Sequence, residues 1–349
     1  MKFLALCLAL PFLVAGCQQV ESPGPTPQSP AALTSIPDVP NYSLGTPISY
    51  GRLTVVPVLA KENQQVKGDY ATLAEAKKNG WVEIIERPSN ETVNRLLVRN
   101  TGPKDVLLLG GELLLGGKQD RVVAYDTVVP AGKEIEVEVY CVEQGRWEGS
   151  SSKFDGGQTM VPDRVRKSAT YENQEEVWNS VAEYRDSAGA ANTPGTTIRG
   201  GLEQEEVAKK MDSGLATLLA ELEGIDNVVG VVVAMDGEAR TLELFGNSSL
   251  FKSAQEPLLK SFLAESAVAS DSRSIIKTDS RILLKACATF VSDVLTSRRR
   301  LRTTANGSQG FDLAPTADGS MQGRELADRD YEGKPAEKAE GLIHGTYRR

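Results

Sequence analysis

Two polar strings interrupt apolar runs in the first half of the chain, and they carry the side chains best suited to chemistry. They span residues 111–121 and 141–147. If the strands that carry them are neighbours, their charged and amide groups converge on a polar cleft. The candidate ligand-binding residues of this cleft are Glu112, Lys118, Gln119, Arg121, Glu143, Arg146 and Trp147. We expect the cleft to bind a ligand.

The same side chains allow two other interpretations. Glu112 and Glu143 are two carboxylates of the kind that serve as general acid and base, which predicts a hydrolase that works without histidine. Alternatively, the charged groups form ion pairs that lock loops, with Trp147 packed in the core. A hydrolase requires the two carboxyl groups within about 10 Å of each other across an open pocket. Catalytic residues, and whether the protein is an enzyme, stay open at this point.

Histidine chemistry is largely excluded by composition. His344 is the single histidine among 349 residues, and it lies close to the C-terminus. A Ser-His-Asp or Cys-His mechanism and a multi-histidine metal site are therefore not expected. The Gly-rich segment before Lys118 fails as a phosphate loop, because Glu112 and Gln119 stand where glycine and a hydroxyl residue are needed. We expect neither a metal nor another cofactor.

The overall composition describes an acidic globular protein. Apolar residues make up 40% of the chain and charged residues 25%, which is enough apolar material for a sizeable core. The formal net charge is -8, whereas nucleic-acid binding depends on Lys and Arg neutralising phosphates. We therefore expect no nucleic-acid partner.

The N-terminus predicts a lipid anchor. Residues 1–16 read as a signal peptide, with a positive start and an apolar stretch too short to span a bilayer. The string Leu13-Val14-Ala15-Gly16-Cys17 resembles the bacterial lipobox, which predicts that Cys17 is lipidated and becomes the first mature residue. The alternative is an ordinary cleaved signal peptide with a bystander cysteine. Two or three acyl chains hold a protein stably on a membrane.

The lipobox also predicts a location and a set of partners. The protein is expected in the bacterial cell envelope on the extracytoplasmic side, attached to the membrane through Cys17. Gln18 stands where an aspartate would favour retention, so in a Gram-negative cell the outer membrane, facing the periplasm, is expected. The remaining partner is a small molecule or a cell-envelope protein whose identity the sequence does not give.

Two terminal segments are predicted to lie outside the folded body. Residues 17–47 are rich in proline, which favours an extended tether and cannot form a core. The run Arg298-Arg299-Arg300, with Arg302, is predicted to close a helix. Residues 301–349 show only scattered apolar side chains and are predicted to form a disordered tail, which makes a catalytic role for His344 improbable.

The body between these ends changes its hydrophobic period along the chain, which predicts an α+β fold. Residues 48–186 read as a β-rich part with six or more short antiparallel strands, in a β-sandwich-like arrangement. Residues 187–201 form a Gly/Thr linker loop. Residues 202–300 form a helix-rich part with one β-hairpin, whose tight turn is predicted at Asp236-Gly237.

The polar strings also carry a resemblance to a known family. Gly111-Glu112, the segment 117–121 and the segment 141–147 resemble the uncharacterised ARG and rhodanese-phosphatase-superfamily-associated protein domain, and the hairpin 228–245 and Val177-Trp178 do so more weakly. The resemblance covers roughly residues 46–295. It implies a shared fold and no established activity or catalytic residue.

Two cysteines remain once the signal peptide is removed and Cys17 is lipidated. They are Cys141, on a predicted strand, and Cys287, on a predicted apolar helix. An extracytoplasmic compartment permits disulfides, so a Cys141–Cys287 bridge stays open beside two buried thiols.

Overall fold

A computed structural model describes residues 38–61, 69–86, 94–145, 152–193, 195–269, 278–302, 309–314, 320–328 and 341–349. The predicted signal peptide, Cys17 and most of the predicted tether lie outside the described residues. Arg146 and Trp147 of the predicted cleft lie outside them as well. Every described residue falls within one compact unit that begins at Ile36.

A nine-stranded antiparallel sheet is the largest element. With strands numbered in chain order, it contains β1 (Tyr42–Leu44), β2 (Ile48–Tyr50), β3 (Leu53–Ala60), β13 (Val228–Met235), β14 (Glu238–Phe245), β15 (Arg299–Arg302), β16 (Gln309–Leu313), β17 (Gln322–Ala327) and β18 (Leu342–Arg348). The strand order is β1-β3-β13-β14-β18-β17-β16-β15, and β2 pairs with β3. The C-terminal strand β18 therefore lies in the interior of the sheet.

Helices cover both faces of this sheet. The described helices are α1 (Leu73–Lys78), α2 (Asp163–Tyr171), α3 (Gln174–Ser187), α4 (Arg199–Leu202), α5 (Glu205–Glu223), α6 (Ser248–Ala267) and α7 (Ser280–Thr296). On β13, Val231 and Val233 pack with α5 and α6, whereas Val232 and Ala234 pack with α7. Because successive side chains point to opposite faces, a strand covered on both sides must be apolar throughout, as β13 is.

A closed barrel stands beside the sheet. Its strands are β5 (Val82–Glu86), β6 (Arg95–Asn100), β8 (Leu113–Gly116), β9 (Arg121–Val123), β11 (Glu134–Cys141) and β12 (Lys153–Asp155), in the order β11-β6-β5-β12-β8-β9. A smaller sheet has the order β10-β7-β4, formed by β10 (Thr127–Val129), β7 (Asp105–Leu108) and β4 (Tyr70–Thr72). Alternate apolar residues such as Ile84, Val98 and Val137 fill a common core with α1.

The predicted α+β class is confirmed, and so are several local signals. Thr72 caps α1, with its hydroxyl accepting a hydrogen bond from the Glu75 backbone N–H. The hairpin of β13 and β14 turns at Asp236 and Gly237, which have φ angles of 55° and 81°. Positive φ at both positions is what the predicted tight turn requires. In detail, six strands of the predicted N-terminal β-rich part close into a barrel.

The division into parts differs from the prediction. Strand β3 belongs to the predicted part 48–186, yet it pairs along its length with β13 of the predicted part 202–300. The two parts thus share one sheet, and residues 187–201 do not separate independent cores. The hairpin of β13 and β14 has a local signal in its turn, whereas the pairing of β3 with the distant β13 leaves no local mark in the sequence.

The C-terminal segment also differs from the prediction. Instead of a disordered tail, the described residues after Leu301 contribute β16, β17 and β18, and the predicted helix end at 298–302 contributes β15. The scattered apolar side chains Phe311, Leu326 and Ile343 are buried, and Leu326 and Ile343 belong to the core between the sheet and the helices α5 and α6. Each strand is too short to show a sustained period in the sequence.

Among the described residues, every helix is too short or too polar to cross a membrane.

Candidate functional site

The two polar strings lie on neighbouring strands, and most of their described residues are buried. Strand β9 pairs with β11, and Arg121 lies opposite Cys141. Gln119, Arg121 and Glu143 are all buried, and Arg121 Nη1 donates a hydrogen bond to the Gln119 carbonyl at 2.7 Å. These three predicted cleft residues therefore lie inside the protein and not at its surface.

The rest of the first string is held by its neighbours. Asp120 accepts hydrogen bonds from the Gly116 backbone N–H at 3.0 Å and from Arg199 Nε at 2.9 Å. The Lys118 backbone N–H donates to Glu86 Oε1 at 2.8 Å, and the Lys118 side chain is partly exposed. These contacts fix the loop between β8 and β9, which fits the loop-locking interpretation of the string.

Glu112 belongs to a different environment from Glu143. Its carboxylate accepts a hydrogen bond from the Leu109 backbone N–H at 3.0 Å, and it is 2% exposed. Burial, together with the nearby charge of Asp126, raises the pKa of Glu112 to about 8 against the opposing effects of the Leu109 N–H and of Arg166. Glu112 and Glu143 are both buried, at 2% and 6% exposure, whereas a hydrolase based on this pair would need both carboxyl groups at an open pocket.

The single histidine lies at the centre of a buried ion network. His344 on β18 is fully buried, and its Nδ1 lies 2.6 Å from Asp126 Oδ2. Its Nε2 lies 3.0 Å from Glu243 Oε2 on β14. Glu243 is in turn held by Arg166 on α2, with Nη1–Oε1 at 2.5 Å and Nη2–Oε2 at 2.9 Å. The network therefore joins the C-terminal strand, the hairpin, a helix and the loop between β9 and β10.

Strand register explains how these groups meet. Glu243 is opposite Thr346 across β14 and β18, and Thr346 is opposite Arg324 across β18 and β17. Residues directly opposite each other on neighbouring strands point to the same face of a sheet. The Thr346 hydroxyl donates to Glu243 Oε1 at 2.9 Å, so a row of polar side chains crosses an otherwise apolar sheet.

Gly111 allows Arg166 to reach this row. Gly111 has a φ of +100°, and a Cβ at this position would lie 2.6 Å from Arg166 Cγ. The Arg166 Nε–H donates to the Gly110 carbonyl at 2.9 Å. The Gly-Gly pair at 110–111 is thus needed for close approach, and its neighbour Gly110 also donates its backbone N–H to Asp126 Oδ1 at 2.8 Å.

The charges of the network are balanced. Burial acts to lower the pKa of His344, but the carboxylates of Asp126 and Glu243 outweigh it and raise this pKa to about 9. Burial acts to raise the pKa of Glu243, and Arg166 and His344 lower it to about 2. At neutral pH an imidazolium and a guanidinium therefore face two carboxylates, which leaves the four groups with no net charge.

A pocket opens next to this network. Its empty volume is about 230 Å³, a figure that includes open solvent at the mouth of the pocket. The residues that line it come from the loop before β8, the loop after β9, α2 and three strands of the large sheet: Gly110, Tyr125, Asp126, Thr170, Arg302, Arg324, Glu325 and Thr346. Asp126 and Thr346 thus belong both to the buried network and to the pocket wall.

Two arginines form one side of the pocket around an aromatic ring. The guanidinium carbon of Arg302 lies 5.0 Å from the centre of the Tyr125 ring, and that of Arg324 lies 5.6 Å from it. Arg324 Nε donates to Asp312 Oδ1 at 3.1 Å, and its Nη1 donates to the Thr170 carbonyl. Cation–π contacts and hydrogen bonds together hold the two positive groups in place.

Sequence reasoning missed Asp126, Arg166, Glu243, Arg302 and Arg324. A weak signal was present for Glu243, because a single carboxylate stands inside the apolar strand Thr241-Leu-Glu-Leu-Phe. Such a residue is costly to bury unless it is paired, so it indicates an unseen partner. The partners themselves, Arg166 and His344, lie 77 and 101 residues away in the chain.

No disulfide joins the two cysteines that the structure describes. Cys141 and Cys287 are both buried free thiols. Cys287 packs in the core between α7 and the large sheet, whereas Cys141 ends barrel strand β11. Burial raises the pKa of Cys287 to about 12 and also raises the pKa of Cys141. Each thiol therefore stays protonated and apolar in its own core.

Across the described ranges, no group of three or more His, Cys, Asp or Glu side chains is arranged to hold a metal ion.

The fold and this site define an α+β protein in which a barrel and a helix-covered sheet meet at a buried ion network beside a small pocket. The chain belongs to the ARG and Rhodanese-Phosphatase-superfamily-associated Protein domain family, ARPP-1, whose model matches residues 41–333. The family resemblance predicted from the polar strings is thereby confirmed. Strand β18, with His344 and Thr346, follows the matched residues. Neither the curated proteins nor the solved structures include a match to this chain.

Proposed function

We propose that this protein is a lipid-anchored, extracytoplasmic binding module, and that the pocket of Arg302, Arg324 and Tyr125 is its ligand site. The ligand carries an anionic group that the two guanidinium groups bind. One observation carries this proposal: the positive guanidinium of Arg302 lacks a full set of acidic groups and hydrogen-bond acceptors around it.

Arg302 is a partly buried arginine with an incomplete set of hydrogen-bond partners. Its Nε lies 3.3 Å from Asp312 Oδ1, but without hydrogen-bond geometry, and within the described part of the chain this Nε has no hydrogen-bond acceptor. Burial and the neighbouring charge of Arg324 lower the pKa of Arg302. In contrast, the pKa of Arg166 is raised by its carboxylate partner Glu243. A buried donor without an acceptor is unfavourable, and an anion supplies the missing acceptor.

The neighbouring acidic groups do not fill this role. Asp312 is shared between Arg302 and Arg324 and is 39% exposed at its side chain. Glu325 lines the pocket but is held by Arg299 at 2.9 Å and by the Tyr347 hydroxyl at 2.7 Å. Two arginines that compete for one half-exposed carboxylate leave positive charge available to a ligand.

The membrane attachment in this proposal rests on the sequence of the N-terminus. The lipobox-like string ends at Cys17, and a proline-rich segment separates it from the first strand, β1 at Tyr42. A tether of this composition extends readily, which allows a folded body to reach ligands away from the lipid surface.

Isothermal titration calorimetry on the purified protein tests the pocket. Acetate and inorganic phosphate serve as probes of anion binding, with the variants Arg302→Gln and Arg324→Gln. Each variant should weaken binding of any anion that binds by about tenfold or more, which is the usual cost of losing a charge-assisted hydrogen bond. The matched control is Arg300→Gln, on the same strand, because Arg300 is exposed and does not line the pocket. Equal weakening by Arg300→Gln would contradict the site.

Metabolic labelling with radioactive palmitate tests the anchor. The wild-type chain should incorporate label and fractionate with membranes, and Cys17→Ala should do neither. The Cys7→Ala variant is the matched control, since Cys7 lies within the predicted signal peptide. Label that enters Cys17→Ala at the wild-type level would contradict lipidation at this residue.

A further inference from the structure

Acidic as well as basic side chains line the pocket. Asp126 lines it together with Arg302 and Arg324, and its carboxylate is close enough to Arg302 to act on the charge of that guanidinium. A simple anion that binds the arginines would therefore also meet the charge of Asp126. A ligand with both an anionic and a cationic group would bind more tightly, because it would contact the two arginines and Asp126 at the same time.

Asp126 is fixed as a carboxylate by contacts behind the pocket. Oδ1 accepts a hydrogen bond from the Gly110 backbone N–H at 2.8 Å, and Oδ2 lies 2.6 Å from His344 Nδ1. Burial acts to raise the pKa of Asp126, but His344 and the Gly110 N–H outweigh it and lower this pKa. Because each carboxylate oxygen accepts two hydrogen bonds, both oxygens retain an acceptor site.

The size of the pocket limits which group of a ligand can enter it. Its enclosed inner part has room for about one water molecule. An ammonium group is of this size, whereas a phosphate group is larger and carries the wrong charge for Asp126. The arginine side, which holds two planar guanidinium groups, suits a carboxylate.

We infer that the ligand is a compact zwitterion of the α-amino-acid type, with its carboxylate bound by Arg302 and Arg324 and its ammonium bound by Asp126. This inference rests on the proposed function, because it assigns the ligand class of the same pocket. Thr346, whose hydroxyl donates to Glu243, also lines the pocket.

Calorimetry with four probes on the full wild-type chain separates this inference from the proposed function. The probes are glycine, acetate, methylammonium and inorganic phosphate. Glycine should bind at least about tenfold more tightly than acetate or methylammonium, since it makes both charge-assisted contacts. If acetate or phosphate binds as tightly as glycine, the zwitterion is wrong and an anion site remains. If none of the four binds, both proposals fail.

Two variants locate the ammonium contact. Asp126→Asn should weaken glycine binding by about tenfold while leaving acetate binding equal or tighter, because only the ammonium loses its charged partner. Since Asp126 also holds His344, thermal unfolding is measured in parallel. The second variant, Arg302→Gln, should weaken glycine and acetate alike. Equal loss of glycine and acetate in a folded Asp126→Asn protein would overturn the inference.

Discussion

Nδ1 of His344 lies 2.6 Å from Oδ2 of Asp126, a residue 218 positions earlier in the chain. This contact joins the C-terminal strand to the loop that leads from the barrel into the small sheet. On its other side, the same imidazole reaches Glu243 in the hairpin. The single histidine of the chain therefore connects three distant segments, and one of its partners forms the wall of the pocket.

Replacing His344 by alanine should strongly destabilise the protein. The change leaves Asp126 and Glu243 buried without the imidazolium between them, and breaking a buried ion pair costs about 3–5 kcal/mol. Urea unfolding at neutral pH measures the free energy of unfolding. The control is Arg240→Ala, which removes an exposed ion pair with Glu238 and should cost less than about 1 kcal/mol. Similar midpoints for the two variants would contradict the role given to His344.

Glu112 should make the folded state less stable as pH rises. Its folded pKa of about 8 lies above its ordinary value of 4.5, so its stabilising contribution is full below pH 4.5 and is lost as pH rises towards 8. His344 acts in the same direction between pH 6.5 and about 9, because its folded pKa is also raised. Glu112→Gln should therefore gain stability relative to the wild type between pH 5 and pH 8, as measured by urea unfolding at several pH values.

The matched control for the pH experiment is Glu238→Gln, which removes one exposed carboxylate. The difference in unfolding free energy between Glu112→Gln and the wild type should grow with pH. A constant difference across this range would show that the Glu112 carboxyl has the same protonation in the folded and unfolded states.

Deleting residues 342–349 should prevent stable folding. Strand β18 pairs with β14 on one side and β17 on the other, so its loss removes two ladders of hydrogen bonds and takes the buried side chains of Ile343 and Tyr347 out of the core. Far-UV circular dichroism and limited proteolysis check the outcome. Deleting Arg349 alone is the control, because this exposed residue lies after the strand. A truncated protein with wild-type protease resistance would instead support the predicted disordered tail.

Both body cysteines should be unreactive in the folded protein. Burial keeps Cys141 and Cys287 away from solvent and raises their pKa values, and the thiolate is the reactive form. Titration of thiols in a Cys7→Ala, Cys17→Ala variant should give almost no reaction under native conditions and two thiols per chain in denaturant. Fewer than two thiols after unfolding without reductant would indicate a disulfide.

Local features of this fold could be predicted because their causes are local. The Thr72 cap depends on a side chain and a backbone N–H three residues apart, and the Asp236-Gly237 turn depends on two adjacent φ angles. The sequence left the pairing of the two polar strings open, since no local pattern shows that both belong to strands of one barrel. Whether the strings would open into a cleft or be buried depended on what packs over them, and that is set by helices and loops distant in sequence.

The sequence by itself determined the α+β class, the family, the hairpin and the absence of any multi-histidine site. It also supplies the lipobox-like string on which the predicted anchor rests. Only the tertiary structure decided that the C-terminal segment is a central strand, that His344 is buried between two carboxylates, and that Arg302 and Arg324 share a pocket with Asp126. The physical reason is that ion pairs and strand pairs between residues 100 or more positions apart depend on which surfaces meet, and this information is absent from any local pattern.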